Sequence, residues 1–172
     1  MKIFLDSADV GTIAQYFSTG LIDGITTNPS LIYKSGRDPE EVYQRLVDFG
    51  VKDISMEVMG DDLTMYSEGI RLYEKFGEVA TIKVPCTREG LLVCKRLSEQ
   101  GIRVNVTLIF TAPQAVLAAK AGATYVSPFV GRLDDQQVAG LEVVRAISDL
   151  YRIHGIQTQV LIKNLLKFHL DF

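Results

Sequence analysis

Apolar and polar positions follow two periods along this chain. Short runs rich in Val, Ile and Thr occupy 2–6, 24–28, 53–58, 79–84, 102–107 and 125–129, with a weaker run at 157–162. Their composition and alternation predict strands. The stretches between them carry helical spacing. At 9–18 a helix opens after Ser7, a hydroxyl suited to N-capping. At 38–49 Pro39 sits in the first turn, where a missing N–H costs nothing. At 63–76 Leu63, Tyr66, Ile70 and Tyr73 fall on one face. Thr87, followed by Glu89, opens a helix over 87–100 that Gly101 closes. Further helices are expected over Ala112–Lys120, ending at Gly122, and over 136–153, ending near Gly155.

Strand–helix alternation of this kind means parallel strands with helices packed outside and right-handed crossovers. No linker or low-complexity stretch divides 1–172, so one α/β domain is expected. It is either an open doubly wound sheet or a barrel. Side-chain parity separates the two. Asp6 shares a face with Phe4, Asn28 with Thr26, Glu57 with Ser55, Lys83 with Thr81, Thr107 with Asn105, and Phe129 with Ser127. The opposite face carries Ile3, Leu5, Ile25, Ile54, Val58, Ile82, Val84, Val104, Val106, Leu108 and Val126, and suits helix packing. In an open sheet the polar set would be buried under helices at separate places. In a barrel it converges on one centre, at the C-terminal strand ends. No glycine-rich phosphate loop follows the first strand, which weakens the dinucleotide-binding alternative.

Composition narrows the function classes. The chain has 172 residues, 47% hydrophobic and 23% charged, the balance of a globular protein with a core. A net charge of −3 provides no basic field for nucleic acid or an anionic membrane. No apolar run approaches the roughly 18 residues of a membrane span. The opening MKIFLDSADV meets an acid at Asp6, unlike a secretory signal. The two cysteines, Cys86 and Cys94, are too far apart for a CxxC pair, and the two histidines, His154 and His169, lack a matching cluster. The expectation is a cytoplasmic protein with no metal and no cofactor.

Lys83 is the anomaly, a lysine inside the apolar strand TIKVP. One reading is an edge lysine that snorkels to solvent. The other is an amine held dry among Asp6, Glu57, Asn28, Asn105 and Thr107. A desolvated amine is more readily neutral, and a neutral amine attacks a carbonyl to form a Schiff base. The iminium is an electron sink for C–C cleavage. Such a reaction needs a base for a substrate hydroxyl, a role open to Asp6, and an acid/base acting through water, open to Glu57. Structural ion pairs to Lys83 are the alternative for both carboxylates.

At these residues the chain resembles the transaldolase family in its short form. The segments are FLDSAD (4–9), GITTNPSLI (24–32), IKVPCTREGL (82–91), GIRVNVTLIFTAPQA (101–115) and AGATYVSPFVGRLDD (121–135). Their order and spacing fit the family to about residue 160. The resemblance implies a metal-free, class I aldolase-type TIM (β/α)8 barrel acting on sugar phosphates in the pentose phosphate pathway. It places the Schiff-base lysine at Lys83, the hydroxyl base at Asp6, and the pair positioning the catalytic water at Glu57 and Thr107. Substrate contacts fall on Thr26, Asn28, Asn105, Ser127 and Phe129. Arg132 matches the phosphate-holding arginine of PFVGR, where a guanidinium offers bidentate geometry; without the motif it reads as an exposed loop arginine.

The similar fructose-6-phosphate aldolases carry Gln where this chain has Glu57 and Tyr where it has Phe129. Both choices here resemble transaldolases, which pass a dihydroxyacetone unit to an aldose phosphate instead of releasing it. Release by an aldolase is the runner-up, and a catalytically impaired, sugar-phosphate-binding remnant is the reading outside enzymes. After Gln159 the resemblance is expected to fail, leaving 160–172, VLIKNLLKFHLDF, as an atypical tail. At about 200–250 residues for a full barrel, six or seven βα units are expected, a C-terminally truncated barrel without its last strand and helices. Short transaldolases resemble rings that exchange C-terminal helices, so a homo-oligomer that rescues closure is the expected assembly.

Overall fold

A computed structural model describes residues 2–129 and 140–161. The elements run β1 (Phe4–Asp6), α1 (Val10–Phe17), β2 (Gly24–Thr26), α2 (Pro29–Ser35), α3 (Pro39–Asp48), β3 (Ile54–Glu57), α4 (Asp62–Phe76), a 3-10 turn (Gly77–Val79), β4 (Ala80–Pro85), α5 (Arg88–Ser98), β5 (Val104–Ile109), α6 (Ala112–Lys120), β6 (Tyr125–Pro128), α7 (Gly140–Ile153) and β7 (Gln159–Val160). The seven strands form one sheet in chain order, each parallel to the next.

The sheet is curled. At the usual strand spacing a flat sheet would hold β1 and β6 about 24 Å apart. Yet the rings of Phe4 on β1 and Tyr125 on β6 meet edge to face at 5.6 Å, and Lys2 Nζ donates to Tyr125 Oη at 3.1 Å. This curvature removes the doubly wound alternative and leaves a barrel of the (β/α)8 type, seen here through seven strands.

Two layers fill it. Between sheet and helices, Ile25, Ile54, Ile82, Val104 and Val126 pack against Ile13, Leu46, Val93, Leu97 and Ile147, all fully buried. Burying such a side chain contributes about 1.5–3 kcal/mol. The inner layer is polar. Gly24 belongs to it for a steric reason: a Cβ there would stand 2.3 Å from the Phe4 ring and 2.8 Å from the Asp53 carbonyl.

Several expectations shift. Asp9, not Ser7, caps α1, its Oδ1 accepting from Thr12 N at 2.7 Å, while Ser7 Oγ accepts from Asp9 N. Helix α2, hidden in the GITTNPSLI segment, starts at Pro29 behind Asn28. On α4 the buried face is Met65, Gly69, Leu72 and Phe76, one step round from the expected stripe, and Leu63 is 68% exposed. Tyr66, Ile70 and Tyr73 only flank the core. The small Gly69 permits this rotation, since α4 there lies against Leu97 and Ile82. Leu108 leaves the helix-packing face: β5 bulges between Thr107 and Ile109, and Leu108 sits at φ +59°, 41% exposed. A bulge adds a residue and breaks the alternation. Of the helix expected at 136–153, residues 136–139 lie outside the described residues, as do Arg132 and 162–172.

Candidate active site

Parallel register sets the inward polar residues side by side. Asp6 is opposite Thr26, Thr26 opposite Ser55, Glu57 opposite Lys83, Lys83 opposite Asn105, and Thr107 opposite Ser127. Same-face neighbours in register are close enough to interact.

Lys83 is 1% exposed, so it does not snorkel. A dry ammonium needs partners. Its Nζ donates to Glu57 Oε2 at 2.6 Å and to the main-chain oxygen of Thr27 at 2.7 Å. Glu57 keeps 13% of its side chain exposed and lines a cleft of about 530 Å³ between α2, α3 and α4. Its carboxylate therefore faces the buried amine on one side and a solvent-reachable space on the other.

Several other expected residues pair with one another on the same inward face. Thr26 Oγ1 donates to Asp6 Oδ1 at 2.7 Å. Ser127 Oγ donates to Asn105 Oδ1 at 2.8 Å, and Asn105 Nδ2 donates to Ser55 Oγ at 3.1 Å, with all three residues buried. Asn28 is half-buried and spends its Oδ1 on Leu31 N as the cap of α2, leaving its amide N–H groups for another partner. Thr107 is buried beside the β5 bulge, and its carbonyl accepts from Cys86 N. Half-buried Phe129 meets Phe110 edge to face at 6.3 Å. Arg132 lies outside the described residues.

Some residues of the interior escaped the sequence reading. Thr27 is fully buried; its N–H and its hydroxyl both donate to Ser55 O, at 3.1 and 2.9 Å. Buried Tyr43 on α3 stands 3.4 Å from that hydroxyl. Burial pushes the Tyr43 phenol above its ordinary range, with the Glu57 charge adding to the effect. At the N-terminal strand ends, Asp53 accepts from Thr81 Oγ1 (2.7 Å), Arg103 Nη1 (2.6 Å) and Tyr125 Oη (2.7 Å). Asp53, Arg103 and Tyr125 lie on the inward parity already used for Ser55, Asn105 and Ser127, so the same alternation, followed toward the strand starts, reaches them.

Chemically, the interior holds a dry amine beside a carboxylate able to take its proton, a second carboxylate at Asp6, and hydroxyl and amide groups suited to a polyhydroxylated ligand. Among the described residues no three His, Cys, Asp or Glu side chains converge as metal donors, and no helix is long and apolar enough to cross a membrane.

Comparison with known proteins gives a consistent match. The family described as Transaldolase/Fructose-6-phosphate aldolase matches residues 3–167. A probable transaldolase of Anaeromyxobacter dehalogenans is 51% identical over 166 residues, covering 96% of this chain and 76% of the relative. One from Leptospira biflexa is 50% identical over 162 residues (94% and 75%), and one from Ruegeria pomeroyi 49% over 162 residues (94% and 74%). The family match continues past Gln159, where the motif reading expects it to stop.

Proposed function

Because the chain belongs to the transaldolase/fructose-6-phosphate aldolase family, we propose that it transfers a dihydroxyacetone unit from a ketose phosphate to an aldose phosphate through a Schiff base on Lys83. The observation that carries this reading is a lysine 1% exposed inside the barrel with Nζ 2.6 Å from a carboxylate oxygen.

The steps follow from that pairing. Glu57 takes a proton from the Lys83 ammonium, and the neutral amine attacks the ketose carbonyl. Glu57 returns the proton to the carbinolamine hydroxyl, directly or through a water held with Thr107, and water leaves. Overall, an ammonium and a ketone become an iminium with one N–H and a water. Asp6 then takes the proton of the substrate hydroxyl on the far side of the scissile bond. That C–C bond breaks, its electron pair enters the iminium as an enamine, and an aldose phosphate departs. Attack of the enamine on an incoming aldehyde reverses the sequence. Thr26, Asn28, Asn105 and Ser127 hold substrate hydroxyls, Phe129 packs the substrate's apolar side, and Arg132 takes the phosphate. A burial of this kind strengthens every polar contact to the charged intermediates. Sugar-phosphate substrates of this kind fit a role in pentose phosphate metabolism in the cytoplasm.

Glu57 and Phe129 favour transfer over release. Product analysis tests it: fructose 6-phosphate should give little free dihydroxyacetone alone and a longer ketose phosphate once erythrose 4-phosphate is present. Free dihydroxyacetone at the same rate with and without the acceptor would make release the reaction.

A further inference from the structure

Lys83 has two acceptors, and the reaction leaves it with one proton. An ammonium carries three N–H bonds; the iminium carries one. Resting on the Schiff-base reading above, we infer that the main-chain carbonyl of Thr27 is the acceptor for that single iminium N–H, and that the Thr27 hydroxyl, backed by Tyr43, is what holds the carbonyl in place. Glu57 is thereby released from Nζ to exchange protons with the substrate oxygen.

Three observations lead here. First, Thr27 O lies 2.7 Å from Nζ and, as an amide oxygen, cannot take up the proton at neutral pH. It can only accept a hydrogen bond, which suits a group that must stay charged. Glu57 has to exchange protons with the substrate oxygen in the same steps, so the carbonyl is the acceptor that can stay on the iminium N–H throughout. Second, Thr27 is tied to a single acceptor, Ser55 O, by both its N–H at 3.1 Å and its hydroxyl at 2.9 Å, which fixes the residue that carries the carbonyl. Ser55 lies two residues before Glu57 on β3, so β3 carries one acceptor of Nζ and anchors the residue that supplies the other. Third, the Thr27 hydroxyl has one proton and donates it to Ser55 O, so at the 3.4 Å contact Tyr43 is the donor. This contact is long and adds a weaker restraint from α3.

The Thr27 carbonyl touches the reacting nitrogen; the Thr27 hydroxyl and Tyr43 are positioning groups. Thr27→Val keeps the volume and the N–H bond to Ser55 O but deletes the hydroxyl.

The test is the rate of borohydride trapping at Lys83 with fructose 6-phosphate, per folded molecule and well below the unfolding temperature. Wild-type enzyme must trap at Lys83; no trapping there overturns the Schiff-base reading itself. Given wild-type trapping, Thr27→Val should trap and turn over about tenfold more slowly with KM little changed, about the effect of one well-placed hydrogen bond. Thr27→Ser, which keeps the hydroxyl, should restore the rate. Tyr43→Phe should slow trapping about threefold, reflecting the longer contact, and carries the test if Thr27→Val does not fold. A merely structural role would lower the melting temperature and leave the trapping rate per folded molecule unchanged. That result, or a Thr27→Ser variant as slow as Thr27→Val, overturns the inference.

Discussion

Asp53→Ala should destabilise the protein strongly while leaving its chemistry in place. Asp53 is 4% exposed and joins Thr81 on β4, Arg103 beside β5 and Tyr125 on β6; Lys2 extends the network to the start of β1. Removing one partner of a buried ion pair costs about 3–5 kcal/mol. That figure is discounted here, because the Arg103 side chain is 30% exposed and keeps the carbonyls of Lys52 and Glu78. The Thr81 hydroxyl, fully buried, loses its acceptor, which costs about 1–3 kcal/mol. Tyr125 Oη keeps the hydrogen bond from Lys2, but its own O–H also loses its acceptor. These losses share one carboxylate and do not add fully, so about 3–4 kcal/mol is expected in total. At an m-value of about 2 kcal/mol per molar, the urea midpoint falls by about 1.5–2 M. Asp53→Asn keeps the shape and part of the hydrogen bonding, and should fall between. Because the network lies at the opposite strand ends from Lys83, trapping per folded molecule should be unchanged well below the unfolding transition. A loss under about 1 kcal/mol would refute the view that this network holds the barrel floor. A large loss of trapping in folded Asp53→Ala would refute its separation from the chemistry at Lys83.

Three further outcomes are expected. Gly90→Ala places a Cβ 2.0 Å from the Pro85 carbonyl, so the first turn of α5 must move off the end of β4; urea titration should show a loss at or above the usual overpacking cost of about 1–3 kcal/mol. Stability should fall as pH rises from about 9 toward 12. Burial pushes the Cys94 thiol up to about 12 and raises the phenols of Tyr43, Tyr125 and Tyr151. The unfolded chain therefore loses these protons first, and stability present below the ordinary values is lost through the raised ones. Urea midpoints at pH 8, 10 and 11 should decline, and less steeply in Cys94→Ala; a flat profile would contradict the assignment. Phe129→Tyr with Glu57→Gln should raise the ratio of free dihydroxyacetone to transfer product, and an unchanged ratio would remove these positions from the control of partitioning.

Much of this was legible because a barrel separates chemistry by parity. The alternation through TIKVP and IRVNVT puts Lys83, Asn105 and Thr107 on the inner face, and register then brings them beside Glu57 and Ser127. Alternation says nothing about the main chain, so the Thr27 carbonyl could not be read in advance. Nor could Tyr43, which reaches the site from a helix and depends on tertiary packing. Leu108 was misplaced because a bulge shifts parity without a glycine to mark it. The α4 face differs because Gly69, silent in a hydrophobic pattern, is where α4 lies against Leu97 and Ile82. The Asp53 network was available to the same parity rule, but charged residues at strand starts read as strand boundaries.

The proposed reaction requires Lys83 Nζ to be the atom that bonds to substrate. The most direct measurement is to incubate the folded chain with fructose 6-phosphate, reduce with borohydride, digest, and map modified lysines by mass spectrometry. A reduced dihydroxyacetone adduct is expected on Lys83 and none in Lys83→Met. A folded sample that turns over substrate without an adduct at Lys83, or with its adduct on another lysine, would contradict it.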